Sequence, residues 1–147
     1  MVKKIINKPY LFFFGLIPVA IVFSFINGNE TINFNISELY FVSELKFLYY
    51  ISAIFFMMIG INYLSLNWAN KPPKKWLTII HLFLQLLALV FLVTRNNWNW
   101  IGKEYSENLY VSSDNSSILV FISILIFILS VFFHLINFFT SLFLKTE

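Results

Sequence analysis

Four long apolar segments occupy most of this chain, at residues 10–27, 47–66, 76–94 and 117–144. A helix needs roughly 17–25 apolar residues to cross a bilayer, and each segment reaches that length. Only 12% of the residues are charged, which is too few to cover the surface of a domain in water. We therefore expect an all-α integral membrane protein, folded as a single antiparallel four-helix bundle over residues 1–147.

The lysines between the segments predict how the chain is oriented. They cluster before residue 10 and within 67–75, and neither stretch contains an acid. Four crossings place both stretches on the same side, and lysine-rich stretches stay in the cytoplasm. We predict a protein of the cell inner (plasma) membrane with both termini cytoplasmic and with loops 28–46 and 95–116 facing outward. The Asn-, Ile-, Phe- and Lys-rich usage indicates a bacterial, AT-rich genome.

Partners are suggested by charge and by the aromatic residues of the outer loops. The net charge of +3 comes from lysines that flank apolar segments, so we expect lipid and not nucleic acid as a partner. The last outer loop carries four aromatic residues: Trp98, Trp100, Tyr105 and Tyr110. Such rings favour the membrane–water interface, and the alternative is that some of them dock other membrane subunits. The sequence leaves the oligomeric state open.

Polar residues recur on one face of the third segment and on one face of the fourth. Their spacings are three and four residues, which keep them in line along a helix. Polar side chains are costly in hydrocarbon, and hydrogen bonds between helices are the usual way to satisfy them. We predict that six residues form a helix-packing stripe inside the bundle: Thr78, His81, Gln85, Ser130, His134 and Asn137.

The two histidines of this stripe raise a second hypothesis, a b-type haem or quinone site between the third and fourth helices. Counting residues places His81 ~8 Å and His134 ~15 Å from the cytoplasmic ends of their helices. The two axial ligands of one haem lie at nearly equal depth, so this offset argues against a haem. We expect neutral histidines that are hydrogen-bonded to neighbours such as Gln85 and Asn137.

The sequence lacks the residue sets that most catalytic, metal-binding and phosphate-binding sites require. There is no cysteine, which excludes disulfides, thiolate catalysis and cysteine metal ligands. All seven acids fall in loops or tails, and no Ser-His-Asp set or phosphate-binding loop occurs. We expect no enzyme activity, no metal site and no cofactor. A small transporter or channel ranks last, because the segments lack charged pathway residues.

Two stretches carry a resemblance to a known family. Ile36-Ser37-Glu38-Leu39-Tyr40-Phe41-Val42 leads straight into the second segment, and Trp76-Leu77-Thr78-Ile79-Ile80-His81-Leu82 opens the third. The first resembles a Tyr-aromatic-Val segment before the tenth helix of subunit I of the haem-copper oxidases (cytochrome c oxidase). The second resembles the start of the eleventh helix. The order of features makes the chain similar to the last four of that subunit's twelve helices.

This resemblance implies a fold but not the oxidase chemistry. With the chains aligned on Tyr40, the family's two haem-ligand histidines fall at Leu45 and Phe47. The His-Asp pair of the family's outer metal site falls at Ser37 and Glu38. The resemblance therefore implies a non-catalytic relative that serves as an accessory, assembly or structural component of a membrane complex.

Overall fold

A computed structural model describes residues 2–36, 39–98 and 115–143. A short helix α1 (Val2–Asn7) comes first, and a 3-10 turn (Arg95–Asn97) follows the fourth helix. The long helices are α2 (Pro9–Asn27), α3 (Leu45–Trp68), α4 (Lys75–Thr94) and α5 (Asn115–Phe143). Each is long and apolar enough to cross a membrane, which is the architecture of a multi-pass membrane protein. The predicted all-α four-helix bundle is confirmed, and residue 144 lies outside the described part of the chain.

Neighbouring helices run antiparallel and pack as two hairpins. Phe13, near the start of α2, stacks on Tyr63, near the end of α3. Phe23, at the other end of α2, stacks on Tyr49. The hydrogen bonds between α4 and α5 follow the same antiparallel order. Since α2 packs mainly on α3 and α4 mainly on α5, the bundle consists of two helical hairpins side by side.

A β-hairpin connects α2 to α3, where the sequence had suggested only a loop. Strands β1 (Thr31–Ile36) and β2 (Leu39–Glu44) form a two-stranded antiparallel sheet. The register pairs residue 31 with residue 44 and residue 36 with residue 39. The alternation Ile-Asn-Phe-Asn-Ile at 32–36 has the two-residue period of a strand, so the signal was present in the sequence. The buried side chain of Ile32 attaches the hairpin to the bundle by packing in an apolar cluster with Leu45, Tyr49, Leu92 and Val120.

The two ends of the bundle differ in charge. At one end, residues 70–73 of the α3–α4 loop line a cavity together with residues of α1 and α2. At that end the Lys74 backbone N–H donates to Asn137 Oδ1 of α5 over 2.9 Å. At the other end Arg95 forms an ion pair with Glu30. The two lysine-rich stretches therefore share one end, as four crossings require, and the side of the membrane on which that end lies stays a prediction.

The close approach of α2 and α3 depends on Gly60. A Cβ at this position would lie 2.7 Å from Cε1 of the Phe14 ring, so any side chain must displace that ring. Gly15 of α2 differs, because a Cβ there would meet nothing within 4 Å. Glycine in a membrane helix lets a neighbouring helix come close, and of the two glycines in the four long helices that the structure describes, Gly60 is the one used in this way.

We expect Gly15→Ala and Gly60→Ala to change stability differently. Alanine favours a helix by about 0.5–1 kcal/mol over glycine, so Gly15→Ala should raise the midpoint of thermal unfolding in detergent. Gly60→Ala should lose that gain or lower the midpoint, because the new methyl group pushes against Phe14. An equal rise in both variants would contradict the close contact between α2 and α3.

A buried arginine attaches the β-hairpin to the second helical pair. The Arg95 side chain is only 2% exposed, and its guanidinium donates to the Glu30 carboxylate and to the Leu92 carbonyl oxygen at 3.0 Å. Glu30 precedes β1, and its own carbonyl oxygen accepts the Leu45 backbone N–H at 2.9 Å. The pair thus connects the start of the hairpin to the end of α4.

Removing the Glu30 charge should destabilise the protein, because it leaves the buried guanidinium without its counter-ion. We expect Glu30→Gln to cost about 1–3 kcal/mol of unfolding free energy. Glu44→Gln is the matched control, since Glu44 pairs with Lys46 through side chains that are 44% and 40% exposed. Exposed pairs contribute little, so the control should stay within about 1 kcal/mol of the parent. Denaturant titration followed by tryptophan fluorescence measures both, and equal effects would argue against a special role for Arg95.

Candidate functional site

The six polar residues predicted from the sequence lie together between α4 and α5. Each has a side chain that is 1% exposed or less. Ser130 Oγ donates to Gln85 Oε1 over 3.0 Å, and Asn137 Nδ2 donates to Thr78 Oγ1 over 2.9 Å. The two histidines face each other between these hydrogen bonds. We call this set the polar ladder: Thr78, His81, Gln85, Ser130, His134 and Asn137.

The two histidines are level with each other, which corrects the depth offset inferred by counting. Their ring centroids are 5.0 Å apart, with ring planes at 34°. The count failed because α4 and α5 end at different heights. Asn137 accepts the backbone N–H of Lys74, just before α4 begins, so residues 138–143 of α5 extend past the start of α4.

Two side chains of α3 form hydrogen bonds with the histidines. The Tyr63 hydroxyl and His81 Nδ1 share a hydrogen bond of 2.9 Å, and Asn62 Nδ2 lies 3.3 Å from His134 Nε2. The sequence had suggested bonds to other members of the polar ladder, but those members are paired with one another. Tyr63 was missed as a candidate, although its position three residues after Gly60 places it on the buried face of α3.

Each imidazole has one nitrogen without a partner among the described residues. His81 Nε2 and His134 Nδ1 are buried and form no hydrogen bond with any residue in the described ranges. Phe13 stacks on the His81 ring at a centroid distance of 4.9 Å, and Tyr63 meets the His134 ring edge-on at 4.8 Å. Buried polar atoms nearly always have a partner, so two unpaired nitrogens on adjacent rings mark this as the candidate functional site.

The geometry does not fit a haem with these histidines as axial ligands. A porphyrin would have to lie between the two rings, which are in direct contact. Ser130 bonds to Gln85 on one side of the histidines, and Asn137 bonds to Thr78 on the other. Both pairs hold α4 and α5 together, so the helices would have to separate before a macrocycle could enter.

Two cavities border this site. One of about 110 Å³ lies between α3, α4 and α5, with apolar walls and the polar side chains of Ser52, Gln85 and Ser123. Neither histidine lines it, so a quinone held there would not touch an imidazole. The other, of about 200 Å³, lies at the lysine-rich end, has a mixed polar and apolar lining, and reaches Tyr63. The histidine pair is thus connected to that end of the bundle through Tyr63.

The two positions at which the oxidase resemblance places haem ligands, Leu45 and Phe47, carry side chains that cannot coordinate a metal. Leu45 is fully buried in an apolar cluster with Ile32 and Tyr49, and Phe47 is 54% exposed on the outside of the bundle. Of the outer-loop candidates, Trp98 is described and its indole N–H donates to Thr94 Oγ1 over 3.0 Å. Five others fall outside the described residues: Ser37, Glu38, Trp100, Tyr105 and Tyr110.

Comparisons with known protein families, with curated proteins and with solved structures find no match for this chain. The function therefore has to be argued from the sequence and from the geometry of the described residues.

The polar ladder should contribute measurably to stability. Ser130→Ala removes the donor to Gln85 and leaves a buried amide oxygen unpaired, which should cost about 1 kcal/mol. Ser65→Ala is the matched control, because the exposed Ser65 hydroxyl bonds only the Ile61 carbonyl oxygen of its own helix. Unfolding in mixed micelles compares the two variants. If both behave like the parent, the bond between α4 and α5 adds nothing to stability.

Proposed function

We propose that the protein is a non-catalytic component of a membrane complex, acting as an accessory, assembly or structural subunit. The observation that carries this proposal is the pairing inside the polar ladder. Hydrogen bonds between α4 and α5 engage four of its six residues, and α3 holds the two histidines. Side chains arranged in this way fix helices against one another. Of the six residues Gln85 alone also lines the cavity between α3, α4 and α5, and a catalytic site would need several polar groups that face such a cavity.

The oxidase resemblance supports a respiratory complex as the setting. In this proposal the chain shares the frame of the last four helices of subunit I but has replaced the haem ligands. Leu45 packs in an apolar cluster and Phe47 lies on the outside of the bundle, so neither position offers a haem ligand. Such a chain can occupy a site beside catalytic subunits without performing their chemistry.

In the same proposal the lysine-rich end faces the cytoplasm. The chain has no cysteine, so Pro72→Cys and Asn96→Cys each introduce a single labelling site, at opposite ends of the bundle. A membrane-impermeant maleimide applied to intact cells should label Asn96→Cys alone. It should label Pro72→Cys only after the cells are opened. The reverse pattern would invert the orientation, and labelling of both in intact cells would contradict the threading.

The assembly role can be tested by deleting the gene and by isolating the protein. Without the protein, a membrane complex should become smaller or less abundant on native gels, while its turnover per haem is unchanged. Complementation with the parent chain should restore the complex. A purified chain that catalyses a reaction by itself would overturn the proposal.

A b-type haem or quinone protein remains the second candidate, and a small transporter or channel is the third. The contact between the two histidine rings disfavours a haem, and the apolar cavity reaches neither ring. A reduced-minus-oxidised spectrum of the purified chain decides between the first two candidates. A haem band that disappears in His81→Gln would favour the second.

A further inference from the structure

We propose that His81 and His134 together bind one monovalent copper ion, Cu(I), between α4 and α5. Two observations place the site. Ring centroids 5.0 Å apart bring both imidazoles within reach of a single small ion. Each ring also has one buried nitrogen without a hydrogen bond among the described residues, Nε2 of His81 and Nδ1 of His134. This proposal departs from the sequence-based expectation of no metal site, and it is independent of the role in an assembly.

The remaining nitrogens are already placed as metal-bound histidines require. A histidine that ligates a metal through one nitrogen usually donates its other N–H to an acceptor, which fixes the tautomer. His81 Nδ1 lies 2.9 Å from the Tyr63 hydroxyl oxygen, which can accept that proton. His134 Nε2 lies 3.3 Å from the Asn62 carboxamide, whose oxygen can accept once the amide is turned by 180°. Both free nitrogens then carry lone pairs.

Charge and ligand number select the ion. Among the described residues, no group of three or more His, Cys, Asp or Glu side chains is placed to hold a metal. A divalent ion at this site would keep its full charge inside the bundle, because no carboxylate is present to offset it. A single positive charge is less costly to bury. Imidazole is a good copper ligand, and Cu(I), with a filled d shell, is stable with only two nitrogen donors.

The cavity at the lysine-rich end approaches the histidine pair from that side of the bundle. Its lining includes Asn67 and Asn70, and it reaches Tyr63, whose hydroxyl shares a hydrogen bond with His81 Nδ1. Lys71 is the cationic residue in that lining, and its ammonium group donates to the Leu142 carbonyl oxygen at the end of α5. The negative end of that carbonyl dipole partly offsets the Lys71 charge, which would otherwise repel an incoming ion.

The test is a titration of the purified chain in detergent with Cu(I), in the presence of a competing chelator and without oxygen. We expect one equivalent to bind, and zinc(II) to bind at least tenfold more weakly. His81→Gln and His134→Gln should each weaken Cu(I) binding at least tenfold. The double variant Met57→Leu/Met58→Leu is the control, because these half-exposed thioethers are the competing soft ligands on the surface of α3.

Several results would overturn the proposal. They are no Cu(I) binding by the parent chain, binding that survives in either histidine variant, and binding that depends on the methionine pair. Zinc(II) bound as tightly as Cu(I) would overturn the choice of ion. Gel filtration and circular dichroism establish that each variant is folded. If a histidine variant fails to fold, X-ray absorption of the copper-loaded parent decides, since the site requires two nitrogen neighbours and no sulfur.

Discussion

The hydrocarbon interior of a membrane imposes the constraint on which this structure depends. No water is available there, so a polar side chain has to find its partner on another helix. The polar ladder meets this requirement between α4 and α5, with all six side chains almost completely buried. Because its pairs form only in one register, the same hydrogen bonds that satisfy these groups also fix how far α5 slides along α4.

The histidine pair adds a second level of organisation, because it connects the two helical hairpins. Tyr63 and Asn62 belong to the first hairpin, and the imidazoles that they contact belong to the second. Phe13 extends the contact to α2 by stacking on His81. Aromatic and hydrogen-bonding contacts thus meet at one point where side chains of all four long helices converge. A substitution of either histidine should therefore disturb the packing of both helical hairpins.

Much of this could be predicted from the sequence, because the dominant signals are local. The apolar segments give the four helices within two residues of their observed ends, and helical spacing identifies every member of the polar ladder. The predictions that failed concern contacts between separate helices. The relative heights of His81 and His134 follow from the overhang of α5, and the role of Tyr63 follows from the packing of α3. Neither is encoded in a spacing within one helix.

Burying a polar group costs free energy, and the structure offsets this cost differently for Arg95 and for the histidine pair. At the hairpin end the charge of Arg95 is met by a carboxylate that is itself partly exposed, so water shares in its solvation. The histidines lie deeper and have no acid beside them, and a neutral ring is the form that such surroundings tolerate. A neutral imidazole keeps one lone pair for use as a ligand, whereas a charged one has none. The lack of intramembrane acids, which argues against proton-relay chemistry, is therefore the same property that leaves two nitrogen donors available at the centre of the bundle.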